Sequence, residues 1–134
     1  MRRTKKNYTP QVLQAVEISD AGAEGKAIGK TENLVIFVDD AIPGDIVDIQ
    51  LTRKKKSFAE GKAIHFHHLS DKRTEPFCKH FGMCGGCKWQ HMKYEHQLFY
   101  KQKQIADNFT RIGHITIPEI RPILASPLQT AYRN

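Results

Sequence analysis

Hydrophobic and polar positions follow a period of two through the first half of the chain and change to a helical period only beyond residue 91. VLQAVEI, from Val12, holds β-branched residues in near alternation and is bounded by SDAG. GKAIGK is a short piece with Gly29 near its end, and LVIFV is a buried-strand candidate closed by the turn signal DDAIPGD. DIVDIQLT alternates cleanly: Ile46, Asp48, Gln50 and Thr52 share one face, and Val47, Ile49 and Leu51 the other. RKKKS reads as a charged turn and FAEGKAIHF as the return strand of a hairpin. About five short strands separated by glycine turns predict a mainly β fold, a small closed or nearly closed barrel of OB-like size.

HHLSDKRTEP is a polar linker ending at Pro76. From Met92 to about Ile112 the chain reads as a helix, with Leu98, Ile105, Phe109 and Ile112 on one side and Lys101, Gln102 and Gln104 between them. Gly113 is its stop, and Pro118 and Pro122 break up the next segment. The expected organisation is a basic arm over 1–7, a barrel over 8–67, a linker and cysteine loop over 68–91, and a helix with the start of another region over 92–134.

With 134 residues, 40% of them hydrophobic, the chain has material for one modest core and is not of disordered composition. Its net charge of +7 adds a polyanion, nucleic acid first, as the expected partner, against the plainer reading of a solvated basic surface. No continuous apolar segment comes after the basic start, and LVIFV is far too short to span a bilayer, so the expected location is the cytoplasm, with no membrane partner. Arg53, Lys54, Lys55 and Lys56 at the hairpin tip are the candidate RNA contacts, with Arg2, Arg3, Lys5 and Lys6 in support. Phe58 and Phe66 could stack on bases, but the expectation is that both belong to the barrel core.

All three cysteines lie in FCKHFGMCGGCKWQH, as Cys78, Cys84 and Cys87. In a reducing compartment clustered thiols point to metal or redox chemistry rather than to a disulfide framework. Gly85 and Gly86 allow tight turns and close approach of amides to sulfur. A cubane iron–sulfur cluster needs four thiolates, and a structural zinc could take Cys78, Cys84, Cys87 and His91 as a closed Cys3His set, with His80 and His96 also near. Spacing alone does not choose between iron and zinc, and a redox-active thiol group without metal is a third reading.

The same stretch resembles the iron–sulfur loop of the RNA (uracil-5-)-methyltransferase family, of the 23S ribosomal RNA type, through Cys78, Cys84, Gly85, Gly86, Cys87, Gln90 and His91. The preceding region resembles a TRAM domain, an RNA-binding β-barrel, with Gly29, Phe37, Val38, Pro43 and Gly44 at the positions its pattern expects. SPLQTAYRN is similar to the segment that opens the family's central β-region.

The resemblance implies that Cys78, Cys84 and Cys87 are three ligands of a [4Fe–4S] cluster whose fourth lies downstream. It implies too that this chain is the N-terminal part of a monomeric enzyme acting on ribosomal RNA. The S-adenosylmethionine site, the catalytic cysteine and the general base would lie beyond Asn134, so this part alone would be inactive. In the family a cysteine adds to C6 of uracil, C5 attacks the methyl group of S-adenosylmethionine, and a base then removes the C5 proton as the cysteine leaves C6. Large-subunit ribosomal RNA rather than transfer RNA is implied by analogy. The cluster would be structural, since methyl transfer has no redox step. Separated from its central region, the helix would expose Leu98, Ile105 and Phe109, and residues 115–134 would lose order.

Overall fold

A computed structural model describes residues 10–132. Five strands, β1 (Val12–Ala21), β2 (Ala27–Thr31), β3 (Leu34–Asp39), β4 (Ile46–Lys54) and β5 (Phe58–His68), close into a barrel in the order β1-β2-β3-β5-β4. Every pairing is antiparallel except β3 with β5, where Val35 stands opposite Phe58. The expected barrel is therefore present, and the expected hairpin is the β4–β5 pair.

Closure depends on β1 serving two neighbours. Its first part pairs with β4 and its last part with β2, and the register shifts between Leu13 and Val16. At that irregularity Ala15 has φ +49, and its N–H donates to Asp48 Oδ1 at 2.8 Å. The same Asp48 oxygen lies 2.6 Å from His67 Nε2. The Ala15 hydrogen bond, and then that of His67, hold the Asp48 carboxyl below its ordinary pKa of 3.8.

The alternation read in β4 is borne out: Val47, Ile49 and Leu51 are buried and face Val16, Ile18, Ile36 and Val38 across the barrel. Small residues on β2 and β5, Ala27, Ala59 and Ala63, make room for these branched side chains. Gly61 belongs to the same arrangement, because a Cβ there would stand 2.5 Å from Ile49 Cγ2 and 2.7 Å from the Gln50 carbonyl oxygen. Phe66 is half-buried and packs against this core. Phe58 does not. It neighbours the inward Ala59 on β5, so the strand's period of two turns it to the outer wall, where its ring meets Phe37 edge-on at 5.9 Å.

A second, smaller core of Ala21, Ile42, Met92 and Tyr100, with Trp89 beside it, joins the barrel to the helix α1 (Tyr94–Asp107). Lys103 fastens the same joint, donating to Asp20 Oδ2 on β1 and to Asp107 Oδ2, each at 2.7 Å. The helix starts two residues later than expected and widens into a π-helical turn over Asn108–Ile112 before Gly113 ends it. Ile105, Phe109 and Ile112 are exposed, and Leu98 is half-buried. Residues 113–132 carry no helix or strand, but Tyr94 Oη and Gln102 Oε1 accept hydrogen bonds from the backbone of Ser126 and Ile123. No helix among the described residues is long and apolar enough to cross a membrane.

Candidate nucleic-acid interface and cysteine pocket

The four predicted cations sit together at one end of the barrel. Arg53 and Lys54 end β4, and Lys55 and Lys56 form the turn, which the Lys55 N–H closes by donating to the Phe58 carbonyl at 2.8 Å. All four are exposed, and none forms an ion pair among the described residues. Lys54 Nζ donates to Gln11 Oε1 at 3.2 Å, and Lys54, Lys55 and Lys56 together edge an open pocket at the barrel mouth. The supporting Arg2, Arg3, Lys5 and Lys6 lie outside the described residues.

The linker read as merely polar is pinned to the barrel. Asp45 is fully buried just before β4, and its carboxylate is saturated by donors. Oδ2 accepts from the Ile42 N–H at 2.8 Å, and Oδ1 from the Ser70 N–H at 2.9 Å. Arg73 adds a two-point clasp, Nε to Oδ1 at 2.8 Å and Nη2 to Oδ2 at 2.5 Å, while its guanidinium stands 4.9 Å from the centre of the Phe66 ring. Neither residue stands out in the sequence, where Asp45 comes after a Pro-Gly turn and Arg73 is one cation among several.

From this clasp the cysteine loop departs and returns. Arg73 pairs with Met92 in an antiparallel bridge, and the Thr74 N–H donates to the His91 carbonyl at 3.0 Å, so the loop's two ends are side by side. Within it the Cys78 N–H donates to Gln90 Oε1 at 2.9 Å. Trp89 Nε1 reaches the Gly25 carbonyl at 3.3 Å, tying the loop to the β1–β2 connection. Cys78, Cys84 and Cys87 line one small pocket, together with His80, Phe81 and Gln90. Cys78 is half-buried and the other two are exposed. Gly85 has φ +73, and apart from its chain neighbours no atom of the described residues stands within 4 Å of where a Cβ would be, which leaves open space at the turn.

The structure brings the three thiols to one pocket but does not gather a finished ligand shell. Among the described residues no three His, Cys, Asp or Glu side chains converge as metal ligands. His91 is not on the pocket wall. It is buried, its ring centre 4.9 Å from that of Phe81, and neither ring nitrogen has a hydrogen-bond partner among the described residues. Burial first, and then the charge of Arg73, push its pKa from 6.5 down to about 4, so it stays neutral at pH 7. The three thiols are donors that a soft, thiolate-bound centre could use, and His80 rather than His91 is the histidine that shares their pocket.

The TRAM domain family matches residues 13–64. A Bacteroides thetaiotaomicron protein described as an uncharacterized RNA methyltransferase is 57% identical over 112 residues, which is 84% of this chain and 25% of that protein. A Porphyromonas gingivalis protein, likewise described as an uncharacterized RNA methyltransferase, is 43% identical over 119 residues, 89% of this chain and 26% of its own. The 23S rRNA (uracil(1939)-C(5))-methyltransferase of Legionella pneumophila strain Lens is 38% identical over 134 residues, 98% of this chain and 29% of its own. The chain thus spans about a quarter of the length of the curated relatives it matches.

Proposed function

Starting from its membership of the TRAM-bearing RNA methyltransferase family, we propose that this chain is the RNA-binding and cluster-binding part of a longer cytoplasmic enzyme. That enzyme would use S-adenosylmethionine to methylate C5 of a uracil in 23S ribosomal RNA. The observation that carries this reading is the union, through the Asp45–Arg73 clasp, of a barrel bearing an exposed basic tip with a loop bearing three cysteines around one pocket. The large-subunit RNA and the uracil are supported by the Legionella relative's name, and S-adenosylmethionine by the resemblance.

In this reading Cys78, Cys84 and Cys87 hold a [4Fe–4S] cluster, with the fourth thiolate supplied from beyond these residues. When bound, the cluster supplies a structural cross-link. The chain's own part in the reaction is binding. A uracil must leave its stack to be methylated, at a cost of about a few kcal/mol. Contacts between the barrel tip and remote phosphates offset that cost, since binding energy from non-reacting parts of a substrate can be spent at the reacting centre.

Two measurements test the reading. Iron and acid-labile sulfide are expected in the full-length gene product purified without oxygen. This chain is expected to bind 23S fragments more tightly than transfer RNA at matched salt. Stoichiometric zinc in place of iron would instead favour an RNA-binding adaptor with a Cys3His site, in which His91 would have to turn out past Phe81.

A further inference from the structure

The end of the barrel is not sealed at the basic tip. Leu13 and Leu34, from β1 and β3, form the apolar wall of a pocket of about 400 Å³, with the buried Leu51 of β4 at its floor. That volume falls within the range of about 300–1,000 Å³ usual for small-ligand sites. Lys54, Lys55 and Lys56 stand along one side of it. On the other side is the β2–β3 turn, Glu32–Asn33, where the Asn33 amide has no hydrogen-bond partner among the described residues. Gln11 is fixed between these sides, because its carbonyl accepts from the Leu51 N–H at 2.9 Å and its side chain from Lys54.

We infer that this barrel mouth holds one unpaired nucleotide of a single-stranded RNA segment, its base against the leucines and its phosphates on the lysines. The inference rests on the RNA-binding reading above and deepens it. Charge complementarity chooses the occupant: three lysines and no acidic residue line the mouth among the described residues, in a chain of net charge +7. A nucleotide joins an apolar face to an anionic edge, which is how the mouth is divided. Asn33 offers both a donor and an acceptor to a base edge, so it would contribute to base preference, whereas the lysines would not.

The test is a titration of this chain, with leucine methyl groups isotopically labelled, by a ten-residue oligouridylate, read by NMR. Saturable shifts of the Leu13, Leu34 and Leu51 methyls are expected. Asn33→Ala should weaken binding about three- to tenfold, the worth of one hydrogen bond, without changing its salt dependence. Lys55→Gln with Lys56→Gln should instead flatten the salt dependence. Binding that depends on the lysines but leaves the leucine methyls unmoved would overturn the inference and leave the RNA-binding reading intact. Equal methyl shifts with polyglutamate would also overturn it, because the mouth would then be a general acidic-peptide site. Failure to bind any RNA would sink both readings together.

Discussion

Arg73 clasps Asp45 through both carboxylate oxygens, and that pair joins the barrel to the cysteine loop and the helix beyond it. Asp45 is wholly buried and Arg73 mostly so, with 21% of its side chain exposed. Removing one partner leaves the other charge or its donors unmatched, at about 3–5 kcal/mol. Arg73→Ala should therefore lower the urea-unfolding free energy by about that much and expose residues 74–91 to limited proteolysis. A loss under about 1 kcal/mol would show that the clasp does not hold the loop.

The packing of the barrel interior gives a second prediction. Gly61→Ala introduces a methyl group between Ile49 Cγ2 and the Gln50 carbonyl, and a main-chain oxygen cannot move aside as a side-chain end can. Overpacking of this kind costs about 1–3 kcal/mol, and the upper end is expected here. A thermal melt of the variant measures it, and an unchanged midpoint would contradict the close approach of β4 and β5.

His91 makes stability depend on pH. Its folded pKa lies near 4 against an ordinary 6.5, so the folded state resists protonation that the unfolded state accepts. Its contribution, on the order of 3 kcal/mol, is fully present above pH 6.5 and is lost as pH falls toward 4. Chemical denaturation at pH 7 and pH 5 should differ by about 2 kcal/mol from this group. His91→Phe, which keeps a ring against Phe81, should remove most of that difference. An equal pH dependence in the variant would assign the effect to other groups.

RNA binding should weaken steeply with salt. Each cation that contacts a phosphate on a single strand contributes about 0.7 to the slope of log K against log salt. Replacing Arg53, Lys54, Lys55 and Lys56 by Gln together should reduce the slope by about 3 if all four make contact. Fluorescence anisotropy across a salt series reads this directly, and an unaltered slope would place the phosphate contacts elsewhere.

The sequence by itself determined the barrel and its hairpin, because a period of two with one buried face leaves a strand one way to sit, as in Val47, Ile49 and Leu51. It also determined that three thiols share one loop and that four cations share one turn, since both groups are local in the chain. Phe58 reads as core in the sequence because strand patterning tells inside from outside only where one face is polar throughout, and β5 has no such face. Only the tertiary structure paired it with Phe37 on the outer wall. The Asp45–Arg73 clasp spans 28 positions, and no local spacing announces it. His91 likewise reads in the sequence as the fourth ligand of the alternative zinc set, four residues beyond Cys87. Folding instead turned its ring inward against Phe81, because the bridge between Arg73 and Met92 fixes the backbone beside it. Periodicity and composition act over a few residues. Which charges meet, which rings face solvent and which histidine stays outside the pocket are set by contacts between segments far apart in the chain.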